Sequence, residues 1–357
     1  MNYVPVIIPT LCRYEHFKEC LESLSRCECA NETEVFVGLD FPAKKSHRQG
    51  YEKIKTYLSQ VGDMNFKKIH IYERPVNYGA GRNVAELRKC VIDRFDSFIY
   101  SEDDNVFSPN FLVYMNTCLE RYKDDPTVIA VCGYSYPVEW AVSNKATVFK
   151  QQINHSAWGT GYWVRKSNEV RDVIVKGKML GDIHSFIKKH LYHKMIDASL
   201  REYMEAACGF MKFQRRMLLC STDISRRAYL AVYDKYVISP VVSKVRNYGF
   251  DGSGLYCQKV NMDLNGHTAG TYNYTKQPID SSSSFELIES IETNSEENRK
   301  RLNDFDYRSR RQMSRARHLL WLCTHFGVSM AKFYALLLLP FDILSRAYKK
   351  VNAKLLH

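Results

Sequence analysis

The chain has 357 residues, a formal net charge of +12 at pH 7, 45% hydrophobic and 25% charged residues. That supplies apolar material for one large core or two ordinary ones and excludes a disordered or fibrous class. The 11 cysteines are odd in number and several fall within apolar periodic stretches (Cys20, Cys90, Cys118, Cys132), so they read as reduced thiols of a cytosolic protein rather than a disulfide framework.

The opening "MNYVPVIIPT" lacks a basic region and a long apolar run, so no secretory signal is expected. Residues 4–9 read as a buried strand, and "YEHFKECLESLSRC" follows with Phe17, Leu21 and Leu24 on one helical face. "EVFVGLD" (34–40) is a second strand, "QGYEKIKTYLSQV" a helix, and "KKIHIYERP" (67–75) a third strand. "AGRNVAELRKCVIDRF" is helical again, and "DSFIYSEDD" is a fourth strand. This alternation predicts an α/β fold, a mostly parallel sheet flanked by helices. Ligands of such sheets sit outside the carboxyl ends of the strands. Asp40 and the triplet Glu102-Asp103-Asp104 fall there, on one rim.

Ser108 and Pro109 read as the N-cap and first residue of a helix whose apolar face is Phe111, Leu112, Met115, Cys118 and Leu119. Residues 128–165 are strand-like and rich in glycine and aromatics, 167–213 mainly helical, and 236–254 a strand followed by a glycine-rich loop. With "SSSS" and "NSEEN", residues 276–297 read as a mobile linker. Residues 298–318 carry eight Lys/Arg against two Asp, and the apolar stretch after them is interrupted by His325 and Lys332 and ended by Pro340. Residues 298–357 are therefore expected to form a basic amphipathic helical tail lying on an anionic membrane surface, with packing on the protein's own core as the alternative and a true span least favoured.

Three adjacent carboxylates repel one another, and ordering them on a packed framework costs free energy unless a cation or proton compensates. A solvated acidic turn is one explanation. The other is a divalent cation, Mg2+ or Mn2+, which would neutralise charge on a nucleotide leaving group. Neighbouring residues of an extended chain point to opposite sides, so one carboxylate could take the metal while the next accepts hydrogen bonds from ribose.

"VPVIIPTLCRYEHFKECLESL", Asp40 in "FVGLD", "NYGAGRN" and "YSEDDNVFSPNFLVYM" together resemble a GT-A glycosyltransferase. The resemblance covers residues 4–270 and is to family 2-like bacterial enzymes and to the N-acetylglucosaminyltransferase that initiates complex N-glycans. That enzyme shares the E-D-D motif and a W-G-x-G-type loop, here "AWGTGYW". The resemblance implies a Rossmann-like catalytic domain over 1–275, with a nucleotide-binding half to about residue 125 and an acceptor half after it. It implies Asp104 as metal ligand, Asp103 and Glu102 against ribose and sugar hydroxyls, Asp40 against a uracil base, and Arg13 near base or diphosphate. Arg82 would approach the donor, or else stand solvated on a first helical turn.

The resemblance places a general base some 20–30 residues before the glycine turn that follows the final strand, where Asp223 stands; Asp223 could equally cap a helix. Asp234 and Glu205 are the fallbacks. Trp158, Gly159 and Gly161 would shape the sugar pocket, or Trp158 would be core. His267 would be a late metal ligand, or a solvated loop histidine.

The activity implied is inverting hexosyl transfer from a nucleotide-sugar, a UDP-sugar by resemblance. The acceptor would be a glycan or a lipid-linked one in bacterial lipopolysaccharide or capsule synthesis, at the cytoplasmic face of the membrane. A nucleic-acid partner is not expected, because the excess charge gathers beside the apolar tail and no recognised motif appears. A sugar nucleotidyltransferase would need a glycine-rich basic signature after the first strand, which "PTLCRYEHF" lacks. A non-catalytic membrane scaffold would not need acidic residues sharing a strand rim.

Overall fold

The computed structural model describes residues 3–175, 185–208, 222–254, 272–290, 293–305 and 310–337. Strands β1 (Val6–Thr10), β2 (Glu34–Leu39), β3 (Lys68–Glu73) and β4 (Ser97–Tyr100) pair in parallel in the order β3-β2-β1-β4. A short β5 (Asn105–Phe107) leaves this sheet. Next come β6 (Val128–Cys132), β7 (Val148–Gln151), β8 (Thr160–Trp163) and β9 (Tyr236–Pro240), which extend the sheet as β4-β8-β6-β9-β7. β8 is antiparallel to both of its neighbours, β7 is antiparallel at the edge, and β6 and β9 are parallel. The fold is thus α/β as expected, with the purely parallel part confined to the first four strands.

The period-two alternation of the strands divides the core. Val6, Ile8, Val35, Val37 and Ile99 face one layer, formed by helices α1 (Tyr14–Ser25), α2 (Lys45–Leu58) and α4 (Phe111–Arg121). Ile7, Phe36 and Phe98 face the other, formed by α3 (Gly79–Ile92), α5 (Val164–Val175), α6 (Asp197–Cys208) and α7 (Thr222–Tyr233). Both faces are covered, which is why these strands read as unbroken apolar runs.

Three expectations are corrected. The helix after the acidic triplet begins at Phe111 with Asn110 preceding it; the Ser108 hydroxyl is turned to Asn110 Oδ1, 3.0 Å away, and its N–H donates to Lys244 O at 2.9 Å beside the pairing of β5 with β10 (Val245–Asn247). The supposed linker is fastened down over 272–290. Gln277 Nε2 donates to Ser135 O at 2.7 Å, Asp280 pairs with Lys244, and Phe285 packs edge-on against Tyr114. Its serines and acids read as solvated, but they satisfy buried donors such as Asn110 Nδ2, 3.0 Å from Asp280 Oδ2. The start of the tail belongs to the core: Leu302 and Phe305 of α8 (Ser295–Phe305) are buried, and α9 (Arg310–Phe326) buries Leu319, Leu320 and Cys323 against the layer that holds α6. No helix among the described residues is long and apolar enough to cross a membrane.

Candidate functional site

At the carboxyl end of β1, Thr10 leads into Arg13 and α1; at the end of β4, Ser101 leads into the acidic triplet. Because β1 and β4 are adjacent and parallel, these two turns face each other. Arg13 reaches across and ion-pairs with both Asp103 and Asp104, its Nη1 lying 2.7 Å from Asp104 Oδ2. Asp103 also accepts from Thr10 Oγ1 at 2.9 Å. Burial pushes the Asp103 carboxyl above its ordinary range, and Arg13 opposes that rise. The triplet is therefore an enclosed acidic pair with a side-chain cation between its members, and Glu102 makes no ion pair among the described residues.

The antiparallel ladder of β5 and β10 flanks the triplet. It sets Asn247 beside the triplet, where Nδ2 donates to Asp104 Oδ1 at 2.7 Å, and Tyr248 N donates to Asp104 O at 2.8 Å. Gly249 follows, and a Cβ there would lie 2.1 Å from Asp104 Oδ2. Only glycine lets the backbone approach this carboxylate. On the same side His16 Nε2 lies 3.1 Å from Asp251 Oδ2.

Glu102 is half-buried, and its carboxyl is pushed up to about 8 by burial and then by the carboxylates of Asp104, Asp223 and Asp103. That places Asp223, in the first turn of α7, on the same rim as the triplet. Its Oδ1 lies 3.3 Å from Nδ1 of His155, whose Nε2 lies 3.1 Å from the Tyr162 hydroxyl. His155 is fully buried, and burial pulls its basicity down, so it is neutral at pH 7. We assign the tautomer with the proton on Nδ1, donated to Asp223, and Nε2 accepting from the Tyr162 hydroxyl.

Asp40 differs from its expected role. Its Oδ1 accepts from Phe41 N and Tyr78 N at 2.9 and 2.7 Å, and its Oδ2 from Gly79 N and Asn77 Nδ2 at 2.8 and 3.3 Å. A carboxylate offers about four acceptor positions, so a nucleobase finds none free. Asp40 fastens the start of α3 to the sheet.

The remaining expectations divide. Arg82 lies over the Tyr78 ring, 3.7 Å from its centre, and is not joined to the triplet among the described residues. Trp158 meets Tyr134, Phe250 and Tyr274 edge-on, with ring centres 4.5, 5.7 and 6.1 Å away, as one member of an aromatic cluster bordering the Tyr248–Asp251 loop. Gly161 is a packing glycine in the middle of β8, where a Cβ would meet Leu119 Cδ1 at 2.9 Å, so it shapes the core and no pocket. Gly159 has φ of +60° and abuts Val245 beneath the site. Asp234 lies beyond the far end of α7, about 16 Å along the axis from Asp223, bound to Lys194 and Gln152. His267 and the side chain of Glu205 lie outside the described residues.

Asn247, Gly249, His155 and Thr10 had not been singled out in the sequence. The loop after the final strand drew notice only for its glycines, and a lone histidine carries no spacing signature.

Among the described residues no group of three or more His, Cys, Asp and Glu is arranged to hold a metal. A hard cation bound chiefly by substrate phosphates needs only one or two carboxylates from the protein. Asp103 and Asp104 fit that requirement, since they already converge on a cation, the guanidinium of Arg13.

No protein family and no curated protein matches the chain. Solved structures match in part. Staphylococcus aureus TarS aligns with TM-score 0.33 and 13% identity, over 47% of this chain and 29% of that one. A TarS structure of residues 1–349 aligns with TM-score 0.35 and 15% identity over 47% and 49%. The mannosyltransferase PcManGT from Pyrobaculum calidifontis, in complex with GDP-Man and Mn2+, aligns with TM-score 0.33 and 15% identity over 45% and 44%. The alignments span less than half of each of these structures. Likeness at this level does not reach activity.

Proposed function

We propose that the chain is a metal-dependent glycosyltransferase, using a nucleotide-sugar, of UDP by the sequence resemblance, and inverting the anomeric centre. The observation that carries this reading is the enclosed Asp103–Asp104 pair gathered around a cation on a parallel-sheet rim, with Asp223 across Glu102. A buried acidic pair held by a side-chain cation can exchange that cation for a divalent metal ion and its diphosphate.

Asp104, with Asp103, would hold Mn2+ or Mg2+, which when bound neutralises charge on the departing diphosphate. Arg13, released from the carboxylates, stays within reach of the diphosphate oxygens. Glu102, on the same rim, would meet a hydroxyl of the donor. Asp223 accepts the proton of the acceptor hydroxyl as its oxygen bonds to the anomeric carbon. The bond from that carbon to the diphosphate oxygen breaks, and its electron pair leaves with the nucleotide. The neutral His155 imidazole, itself held by Tyr162, fixes the direction of the Asp223 carboxylate.

The acceptor reading, a glycan or lipid-linked acceptor, draws support from the C-terminal face. Trp321, Phe326, Met330, Phe333, Leu336 and Leu337 are 43–59% exposed on residues 321–337, and Lys332 lies on the same segment. An apolar face with a cation beside it suits an anionic membrane surface.

The decisive experiment is calorimetric titration with UDP, with and without Mn2+, on the wild type and Asp104→Ala, with GDP, CMP and TDP as controls. Metal-dependent binding lost in the variant supports the reading. No binding of any nucleotide overturns it.

A further inference from the structure

Two arginines outside the acidic site cover one patch of the sheet, and a third stands one helical turn from the residue that one of them binds. Phe98 of β4 and Tyr162 of β8 are cross-strand partners with ring centres 5.6 Å apart. The Arg88 guanidinium, from α3, lies 5.8 Å from the centre of the Phe98 ring, and that of Arg226, from α7, lies 4.8 Å from the centre of the Tyr162 ring. Arg171 comes from α5, one turn beyond Asn168, whose side-chain carbonyl accepts from Arg88. Burial, Arg171 and then Arg226 all disfavour the charge on Arg88, as expected of neighbouring like charges.

The cluster lacks a counter-charge within ion-pairing distance among the described residues, as Arg74, Arg82 and Arg246 also do. Arg13, Arg94, Arg201 and Arg227 each meet a carboxylate within 4.0 Å. Among the described residues, Arg88, Arg171 and Arg226 meet none; the one polar partner shown is the neutral Asn168. Like charges brought together by three separate helices raise the free energy of the fold, and an anion between them lowers it. Guanidinium forks match the oxygens of a phosphate in bidentate geometry.

The position of the cluster gives it a use. Arg226 is three residues after Asp223 on α7, on the same side of the helix. The ring it covers is that of Tyr162, the last member of the Asp223–His155–Tyr162 chain. We propose that Arg88, Arg171 and Arg226 form a phosphate-binding site beside the catalytic rim, recognising a phosphoryl group carried by the acceptor. The acceptor assignment rests on the glycosyltransferase reading; the phosphate site does not. An acceptor held there presents a hydroxyl about one helical turn away, at Asp223.

The test titrates the full chain with inorganic phosphate and with soluble dibutyryl phosphatidic acid, at low salt and in EDTA so that a metal-dependent donor site is silent. Arg171→Gln with Arg226→Gln is expected to weaken both probes by about tenfold or more, the size of losing charge-assisted hydrogen bonds. The exposed single change Arg171→Gln, which leaves the packed rings alone, is expected to weaken both by about threefold. The Mn2+-dependent UDP titration should be unchanged in either variant. Failure of the wild type to bind phosphate, or equal binding by the double variant, overturns the site. Loss for the lipid alone overturns phosphoryl recognition in favour of the acyl glycerol. Arginine-dependent phosphate binding in a protein that binds no nucleotide keeps the site and removes its acceptor role.

Discussion

The β2–α3 corner around Asp40 and the β4–β5 corner around Asp103 and Asp104 begin from the same local ingredients and end in opposite states. Each follows a buried parallel strand, and each carries carboxylates that are almost wholly enclosed. At Asp40 the partners are three backbone amides and one side-chain amide, fixed in place by the turn itself. At Asp103 and Asp104 the charge is met by the guanidinium of Arg13, which a rotamer change can withdraw. Backbone donors make a clamp, whereas a side-chain cation makes a site.

The sharpest way to break this comparison is Asp40→Ala. It leaves buried amide donors at Tyr78 and Gly79 without an acceptor, so it should lower unfolding free energy by about 3 kcal/mol, read as a lower urea midpoint. Metal-dependent UDP affinity of the folded fraction should stay unchanged; lost nucleotide binding at unaltered stability would return Asp40 to the base-binding role.

Asp104→Ala should behave in the reverse way, with sugar transfer falling about a hundredfold or more, equivalent to about 2.7 kcal/mol. Its urea midpoint should move less than that of Asp40→Ala. Gly249→Ala tests the same corner from outside: a Cβ 2.1 Å from Asp104 Oδ2 must displace a carboxylate already held by Asn247 and Arg13. A drop of about tenfold in Mn2+-dependent UDP affinity is expected, from a shift of the ligand by a fraction of an ångström. Unchanged affinity would show that the carboxylate is free to move.

The smallest effect concerns the segment that closes the structure behind β10. The Lys244 ammonium and the Asn110 amide hold the Asp280 carboxyl below its ordinary value of 3.8, despite partial burial. A depressed carboxyl contributes stability that is complete above 3.8 and is lost as pH falls through the folded value. The urea midpoint should therefore decline between about pH 4 and pH 2, and Asp280→Asn should flatten that decline.

Much of the first four strands was legible because each is a short apolar run separated by an amphipathic helix, a pattern set by nearest neighbours along the chain. The acidic triplet was legible for a similar reason, since adjacent carboxylates after a buried strand demand compensation. Asp40 was not, because the same residue at a strand end can face solvent, a ligand or its own turn, and the choice depends on Tyr78 and Gly79, 38 and 39 residues away. The segment 276–290 was misread because polarity was taken for solvation, whereas Gln277 and Asp280 bury their polar groups against partners more than 30 residues distant. The reversed direction of β8 left no trace in its own composition.

The sequence by itself determined the alternation of strands and helices, the apolar faces and the acidic turn, because local period and charge suffice for these. Only the tertiary structure decided that Arg13 stands between Asp103 and Asp104, that His155 backs Asp223, and that Arg88 and Arg226 cover the paired rings of Phe98 and Tyr162. Each of these pairings joins side chains from separate elements, and their meeting depends on strand order and helix packing rather than on spacing along the chain.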